Sequence, residues 1–194
     1  MDARAYTIDV RSSDSIRDTI NQVQADFGQL DILVNNAGVR LVTPSLTLEE
    51  REWDDVLNTN VRGVFLCSQA AAHHMHGRGG VIINIASQLG IVAAYDRAAY
   101  CASKAAVLHL TRALALDWAR YGIRVNAVAP GPVNTPSLSV GATSQDAIDF
   151  LTRMPLGRPI QPAEVAEAAG FLASPSVEAI TGHILVVDGG WTLA

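Results

Sequence analysis

The stretch S-Q-L-G-I-V-A-A-Y-D-R-A-A-Y-C-A-S-K, Ser87 to Lys104, decides how this chain is read. It follows the apolar run Val81–Ala86, which suits a buried strand, and leads into an Ala/Leu-rich segment from about Ala99 to Tyr121 that reads as a helix. Tyr100 and Lys104 stand four residues apart on that helix, so one turn stacks them on the same face. Ser87 closes the strand thirteen residues before Tyr100, near enough for the loop between to fold it back. A phenol, an ammonium and a hydroxyl converging at the C-terminal edge of a parallel sheet make a proton-transfer site.

Outward from this stretch the chain alternates. Ala5–Val10 reads as a short strand; Ser12, Ser13 and Asp14 offer N-caps to a helix with Ile16, Ile20, Val23 and Phe27 at helical spacing, and Gly28 stops it. Ile32-Leu33-Val34 is an apolar strand closed by Asn35-Asn36-Ala37-Gly38. Thr47 with Glu50 suits a capping box for a helix around Trp53–Leu57, and Val61–Ala72 continues as a second helical run. After the Gly77–Gly80 turn and Val81–Ala86 comes the long helix, then a strand Arg124–Ala129 ended by Pro130-Gly131-Pro132. Asn134–Arg158 is looser, with one short helical pattern near Ala147–Leu151; Pro162 starts a helix to Leu172, and His183–Val187 is a last strand. Near-continuous apolar strands alternating with helices predict an α/β fold, a doubly wound Rossmann-like parallel sheet with helices on both faces. Ligands of such sheets bind beyond the carboxyl ends of the strands, where Asp9, Asn35–Gly38, Ser87 and Pro130 all lie.

Composition sets the outer bounds. With 194 residues, 49% hydrophobic and 17% charged, the chain suits one domain with a sizeable core. A net charge of −5 without a basic patch argues against nucleic acid as partner. Cys67 and Cys101 both fall in predicted helices and make no disulfide framework, which fits a reducing compartment. No apolar run is long enough to span a bilayer and Met-Asp-Ala-Arg begins no signal peptide, so a cytoplasmic location is expected. His73, His74 and His76 lack the carboxylates or cysteines of a metal set and end a helix, where imidazolium suits the dipole; no metal is expected.

The Ser87…Tyr100-x-x-x-Lys104 spacing, Asn35-Asn36-Ala37-Gly38 closing the preceding strand, Asn60-Val-Arg-Gly63 on the intervening helix and Pro130-Gly131 closing the next strand stand in one order. By these motifs the chain resembles the short-chain dehydrogenase/reductase family. The resemblance implies interconversion of an alcohol and a ketone or aldehyde by hydride transfer with NAD or NADP, Tyr100 acting as general acid/base. It further implies that Lys104 favours the phenolate by its charge and holds the nicotinamide ribose, that Ser87 bonds the substrate oxygen, and that Asn60 holds a water relaying protons to Lys104. Asp9 and the Val10 backbone would meet the adenine, Asp9 alternatively capping the next helix. Asn36, Ala37 and Gly38 would lie against the adenosine ribose. Pro130 and Gly131, which close the strand, would belong to the cofactor site, and Val133 and Thr135 would meet the nicotinamide carboxamide. Tyr95 is no catalytic candidate, because Ala99 stands where its lysine would be. The substrate, a small to medium alcohol or carbonyl compound, is set by Asn134–Arg158.

The resemblance also carries an expectation about extent. No Gly-rich turn follows a strand here, so the family's first β-α-β-α unit, on the order of 50 residues, is read as absent and residues 1–194 as one N-terminally truncated domain. Loss of that unit is expected to expose an apolar edge strand and a helix-bare face. The segment Ala5–Val10 then either pairs with Ile32–Val34 or comes away from it. Without the phosphate-binding turn, residues 1–194 alone are expected neither to bind NAD(H) or NADP(H) at micromolar levels nor to turn over an alcohol. The second reading is a non-catalytic remnant that acts through association with full-length relatives. Ala71, Leu108 and Leu116, apolar residues on more than one face of the helices Asn58–Ala72 and Ala99–Tyr121, predict a homo-oligomer, which by resemblance is a dimer or tetramer.

Overall fold

The computed structural model describes residues 3–136 and 152–193. Four parallel strands, β1 (Ile32–Asn35), β2 (Gly80–Ile85), β3 (Ile123–Pro130) and β4 (Ile184–Val187), pair in sequence order as one sheet. The register sets Asn35 opposite Asn84, Asn84 opposite Ala127, and Ala127 opposite Ile184, so all four strands end on one side. The predicted α/β parallel sheet is thus present, with the helices α1 (Ser13–Phe27), α2 (Glu50–Leu57), α3 (Gly63–Met75), α4 (Ala98–Trp118) and α5 (Pro162–Ala173) around it. The short helical pattern at Ala147–Leu151 lies outside the described residues.

Strand alternation sorts the core into two layers. Ile82, Val125, Ala127 and Ala129 face α3 and α4, with Ala71, Met75, Val107, Leu108 and Leu114 as partners. Val81, Ile83 and Val128 face α5 through Leu172, Val165 and Ala169. Helix α1 stacks on α3, Ile16 and Ile20 meeting Cys67. Its ends follow the sequence: the Ser12 side chain accepts from the Ser15 N–H, and Gly28 closes the helix at φ +79°. Arg124 fixes the far end of α5 by donating to the carbonyls of Leu172, Ile180 and Ser174.

Several expectations are corrected. Ala5–Val10 is not a strand; it runs unpaired beside α1, held where Thr19 donates to the Thr7 carbonyl and the Tyr6 hydroxyl to Asp26. It neither joins β1 nor comes away, because Val10 packs on Gly63 so closely that a Cβ there would lie 2.8 Å from the Val10 carbonyl. The capping box of α2 is built by Glu49 and Glu52, since the Thr47 hydroxyl is spent on the Pro44 carbonyl. Ala71 and Leu108 are core residues of this chain, and only Leu116, 81% exposed, is left as surplus apolar surface among the three. The exposed edge is as anticipated: Ile32 and Val34, 48% and 47% exposed, lie on the face of β1 that α5 does not reach.

Between sheet and helices runs a buried polar chain. The Asn35 amide donates to Ser68 Oγ and Asn84 Oδ1, both at 2.9 Å, and Asn84 Nδ2 donates to Thr111 Oγ1, also at 2.9 Å. It links β1, β2, α3 and α4 with no polar atom of Asn84 left over. Asn84→Leu leaves the Asn35 amide short of a partner inside the core, and is expected to cost about 2–3 kcal/mol. The check is the urea midpoint, which should fall with an unchanged m-value; an unchanged midpoint means the chain carries no stability.

Candidate active site

The site gathers where β1, β2 and β3 end. Asn60 organises it from a π-helical turn, Asn58–Arg62, that joins α2 to α3, a geometry frequent at functional sites. Its fully buried side chain accepts from the Val39 N–H at 2.8 Å and donates to the Val39 carbonyl at 2.9 Å and to Ser103 Oγ at 3.0 Å. Both polar atoms of the amide are thereby engaged, so the side chain positions its neighbours. The Ser103 hydroxyl donates to the Tyr100 carbonyl, which passes the constraint to α4.

Lys104 is buried, and its ammonium donates to the Ile85 carbonyl at 2.9 Å, at the end of β2. Burial pulls its pKa down to about 8. Ser87 reaches α4 because the turn Gln88–Gly90 presses on the helix: a Cβ at Gly90 would lie 2.8 Å from the Lys104 carbonyl carbon and oxygen. The Ser87 hydroxyl accepts from the Leu89 N–H, which leaves its proton free for a further partner. Burial raises the Tyr100 phenol, while the neighbouring Ser87 hydroxyl and the Arg40 and Arg97 charges pull it down. The Lys104 ammonium stands 5.7 Å from the ring centroid and donates to the Ile85 carbonyl.

The remaining sequence candidates divide. Asn36, Ala37 and Gly38 are exposed beyond β1, with Gly38 so near the centre that its Cβ would sit 3.2 Å from Asn60 Oδ1 and 3.7 Å from Lys104 Nζ. Pro130 ends β3, and Gly131 donates its N–H to Val187; there a Cβ would meet Asp188 Cα at 2.7 Å. Val133 bridges to Ile160, and Thr135 donates back to the Val133 carbonyl. Asp9 stands apart: its carboxylate is spent on Arg11, which holds it below the usual carboxylate range, and Ser12 caps α1 in its place. His74 pairs with Asn21 and His76 lies against Tyr121, so the two do not converge. Arg40 and Arg97 escaped the sequence reading. The available signal was position, since Arg97 precedes Tyr100 by three residues and so shares its helix face.

A four-stranded parallel sheet with a Ser–Tyr–Lys group beyond its carboxyl ends defines a dehydrogenase of the doubly wound class, and the comparisons agree. Residues 1–192 match the family described as enoyl-(acyl carrier protein) reductase. The chain is 42% identical over 190 residues to 2-dehydro-3-deoxy-D-gluconate 5-dehydrogenase of Escherichia coli (strain K12), covering 96% of this chain and 75% of that one. It is 43% identical to cis-4-hydroxycyclohexanecarboxylate dehydrogenase of Sinomonas cyclohexanicum, covering 95% and 74%. Among solved structures, a gluconate 5-dehydrogenase from Burkholderia cenocepacia in complex with NADP and tartrate superposes with a TM-score of 0.92 at 39% identity, over 96% and 74% of the chains. The chain belongs to the short-chain dehydrogenase/reductase family, a family of oxidoreductases.

The burial of Lys104 has a thermodynamic signature. Its pKa is about 8 in the folded chain against 10.5 ordinarily, so between those values the unfolded chain binds the extra proton and stability rises with pH. Below pH 8 the folded state carries the full cost of the buried ammonium, about 3 kcal/mol. The unfolding free energy, measured in urea against Lys104→Met, should therefore climb by about that amount from pH 8 to 10.5. A pH-independent difference would sink the assignment.

Proposed function

We propose that this chain interconverts an alcohol and a carbonyl compound with NAD or NADP, Tyr100 exchanging the proton on the substrate oxygen. The observation that carries the reading is the convergence of Ser87, Tyr100 and Lys104 beyond the end of β2, with the Lys104 ammonium 5.7 Å from the Tyr100 ring centroid and bonded to the Ile85 carbonyl. Ser87 orients the substrate oxygen against the phenol. Lys104 holds the ribose hydroxyls on one side, and the Ile85 carbonyl fixes its stem. Asn60 keeps the Val39 loop and α4 at one spacing, so that Tyr100 and Lys104 address one ligand.

The residues fit the nucleoside ends of a dinucleotide. Exposed Asn36-Ala37-Gly38 form a floor without bulk beside Lys104, and a side chain at Gly38 would fill the space next to the ammonium. When bound, the nicotinamide gives or takes the hydride. Val133 and Thr135 are the candidates for its carboxamide, and Pro130 and Gly131 for the wall beneath it. Asp9 and Val10 are the candidates for the adenine side, with Asp9 first having to yield its Arg11 contact.

Residues 1–194 act as one domain on a small molecule, neither nucleic acid nor membrane being a partner. No helix among the described residues is long and apolar enough to cross a membrane. Unpaired Cys67 and Cys101 support a reducing, cytoplasmic compartment. Exposed Leu116, Ile32 and Val34 support a homo-oligomer, dimer or tetramer.

Tyr100→Phe, assayed in a chain bearing a glycine-rich turn ahead of Met1, is expected to abolish turnover and leave dinucleotide affinity nearly unchanged, since the ring stays and the proton goes. Turnover near that of the parent would end the reading. Light scattering of the unsubstituted chain should give a multiple of 20.6 kDa, and a clean monomer would refute the assembly.

A further inference from the structure

The end of the sheet opposite Tyr100 carries a cleft that the proposed reaction does not use. It lies where β2 and β3 begin, between the turn that leaves α3, residues 77–80, and the turn that leaves α4, residues 120–122. Its volume, about 500 Å³, is within the range of small-molecule sites. The floor is bare backbone. Gly79 and Gly122 take φ +82° and +73°, and a Cβ on Gly79 would lie 2.9 Å from the Gly122 carbonyl oxygen. The Gly80 N–H donates to that same oxygen at 3.3 Å, which locks the two turns together. Gly77, at φ +79°, has nothing within 4 Å of where its Cβ would be, so space is left open above the turn.

The walls carry cations. Arg78, Arg120 and the His76 ring line the cleft together with Tyr121, and no acid lines it. The His76 ring lies 4.4 Å from the Tyr121 ring, centroid to centroid, and the Arg120 guanidinium lies over Tyr121 at 5.1 Å. Arg78 is aimed by its Nη2, which donates to the Leu30 and His74 carbonyls at 3.2 and 3.4 Å. Asp31 stands 3.7 Å from Arg78 Nη1, beyond hydrogen-bond distance and in solvent, so it offsets little of that charge. Cations at this end of the sheet would ordinarily serve the carbonyl ends of the two helices. Those carbonyls are already met by backbone: the His76 N–H donates to Ala72, the Arg78 and Gly79 N–H groups to Met75, and the Gly122 N–H to Ala119. Arg120 enters none of the ion pairs among the described residues, and its contact there is the Tyr121 ring. Its N–H donors are thus left to whatever enters the cleft.

We propose that this cleft is a phosphate-binding site, with Arg78 and Arg120 as its two forks. A carboxylate has one plane of two oxygens and suits a single guanidinium, whereas a phosphate has oxygens enough for both. The His76 ring supplies a further nitrogen, and the glycine turns let the group come down on the backbone without meeting a Cβ. A phosphate ester of a small molecule and the free ion share this chemistry. The site is independent of the proposed reaction, since none of Ser87, Tyr100 and Lys104 lines it.

The test is titration calorimetry on the 194-residue chain at low salt, with phenyl phosphate, inorganic phosphate and neutral phenol as probes. Phenyl phosphate should bind about tenfold tighter than phenol or better, and the preference should shrink in high salt. Inorganic phosphate binding as tightly as phenyl phosphate assigns the site to the free ion, and looser binding assigns it to an ester; both uphold the proposal. The amide resonances of Gly77, Gly79 and Gly122 should shift during the titration, while those of Gly38 and Gly131, at the other end of the sheet, stay in place. Arg120→Met and Arg78→Met should each weaken binding about tenfold, and Arg120→Lys, which keeps the charge and loses the fork, should fall between. Circular dichroism establishes that each variant is folded, and the comparison of phenyl phosphate with phenol on the unsubstituted chain needs no variant. The proposal is overturned if neither phosphate binds, if phenol binds as tightly as phenyl phosphate, if either Arg→Met change leaves the affinity unaltered, or if the shifts fall on Gly38 and Gly131 instead. In each of those cases the cations serve the helix ends alone. Retained turnover in Tyr100→Phe bears on the acid–base reading and leaves this site untouched.

Discussion

Everything at the site hangs on the side chain of Asn60. One buried amide holds both backbone groups of Val39 and the hydroxyl of Ser103, and so fixes the distance between the loop after β1 and the helix that carries Tyr100 and Lys104. The same contact sets how near Gly38 comes to the Lys104 ammonium and where the loop to Arg40 begins. A buried amide with every polar atom paired has no cheaper arrangement nearby, because each alternative strands a donor or an acceptor away from water. Rigidity here is therefore a product of satisfied hydrogen bonds more than of apolar packing.

The sheet supplies the frame on which that contact acts. Parallel strands in register end together, so β1, β2 and β3 deliver Asn35, Ile85 and Pro130 to one rim, and each is followed by a segment that turns outward over it. Close approach then replaces side chains with backbone. The Gln88–Gly90 turn touches the Lys104 carbonyl, and Gly131 touches Asp188, at separations no Cβ would tolerate. These contacts bring Ser87 and the Pro130 turn in toward the helix, where their polar groups can be used.

Much of this was legible in the sequence for identifiable reasons. Apolar runs such as Val81–Ala86 admit one reading when both faces of a strand are buried, and Ser12 and Gly28 mark helix ends by capping chemistry that needs no tertiary context. Tyr100 and Lys104 were visible because helical spacing alone puts them together. Ala5–Val10 misled because alternating apolar residues suit a strand, yet a strand exists only if a neighbour accepts its hydrogen bonds, and none does here. Ala71 and Leu108 looked like interface and proved to be core, because helix faces cannot be assigned before it is known how many neighbours pack on them. Arg40 was invisible because it lies far from Tyr100 in sequence, and the segment that carries it is tied to the turn before α4 by the bond from Thr43 to Asp96.

The electrostatics of Tyr100 show why its neighbours matter more than its own chemistry. Burial disfavours the phenolate, so the resting phenol is protonated and suited to giving its proton to a developing alkoxide. Acting as a base instead requires positive charge close by, and the Lys104 ammonium, 5.7 Å from the ring centroid, stands there together with the charges of Arg40 and Arg97.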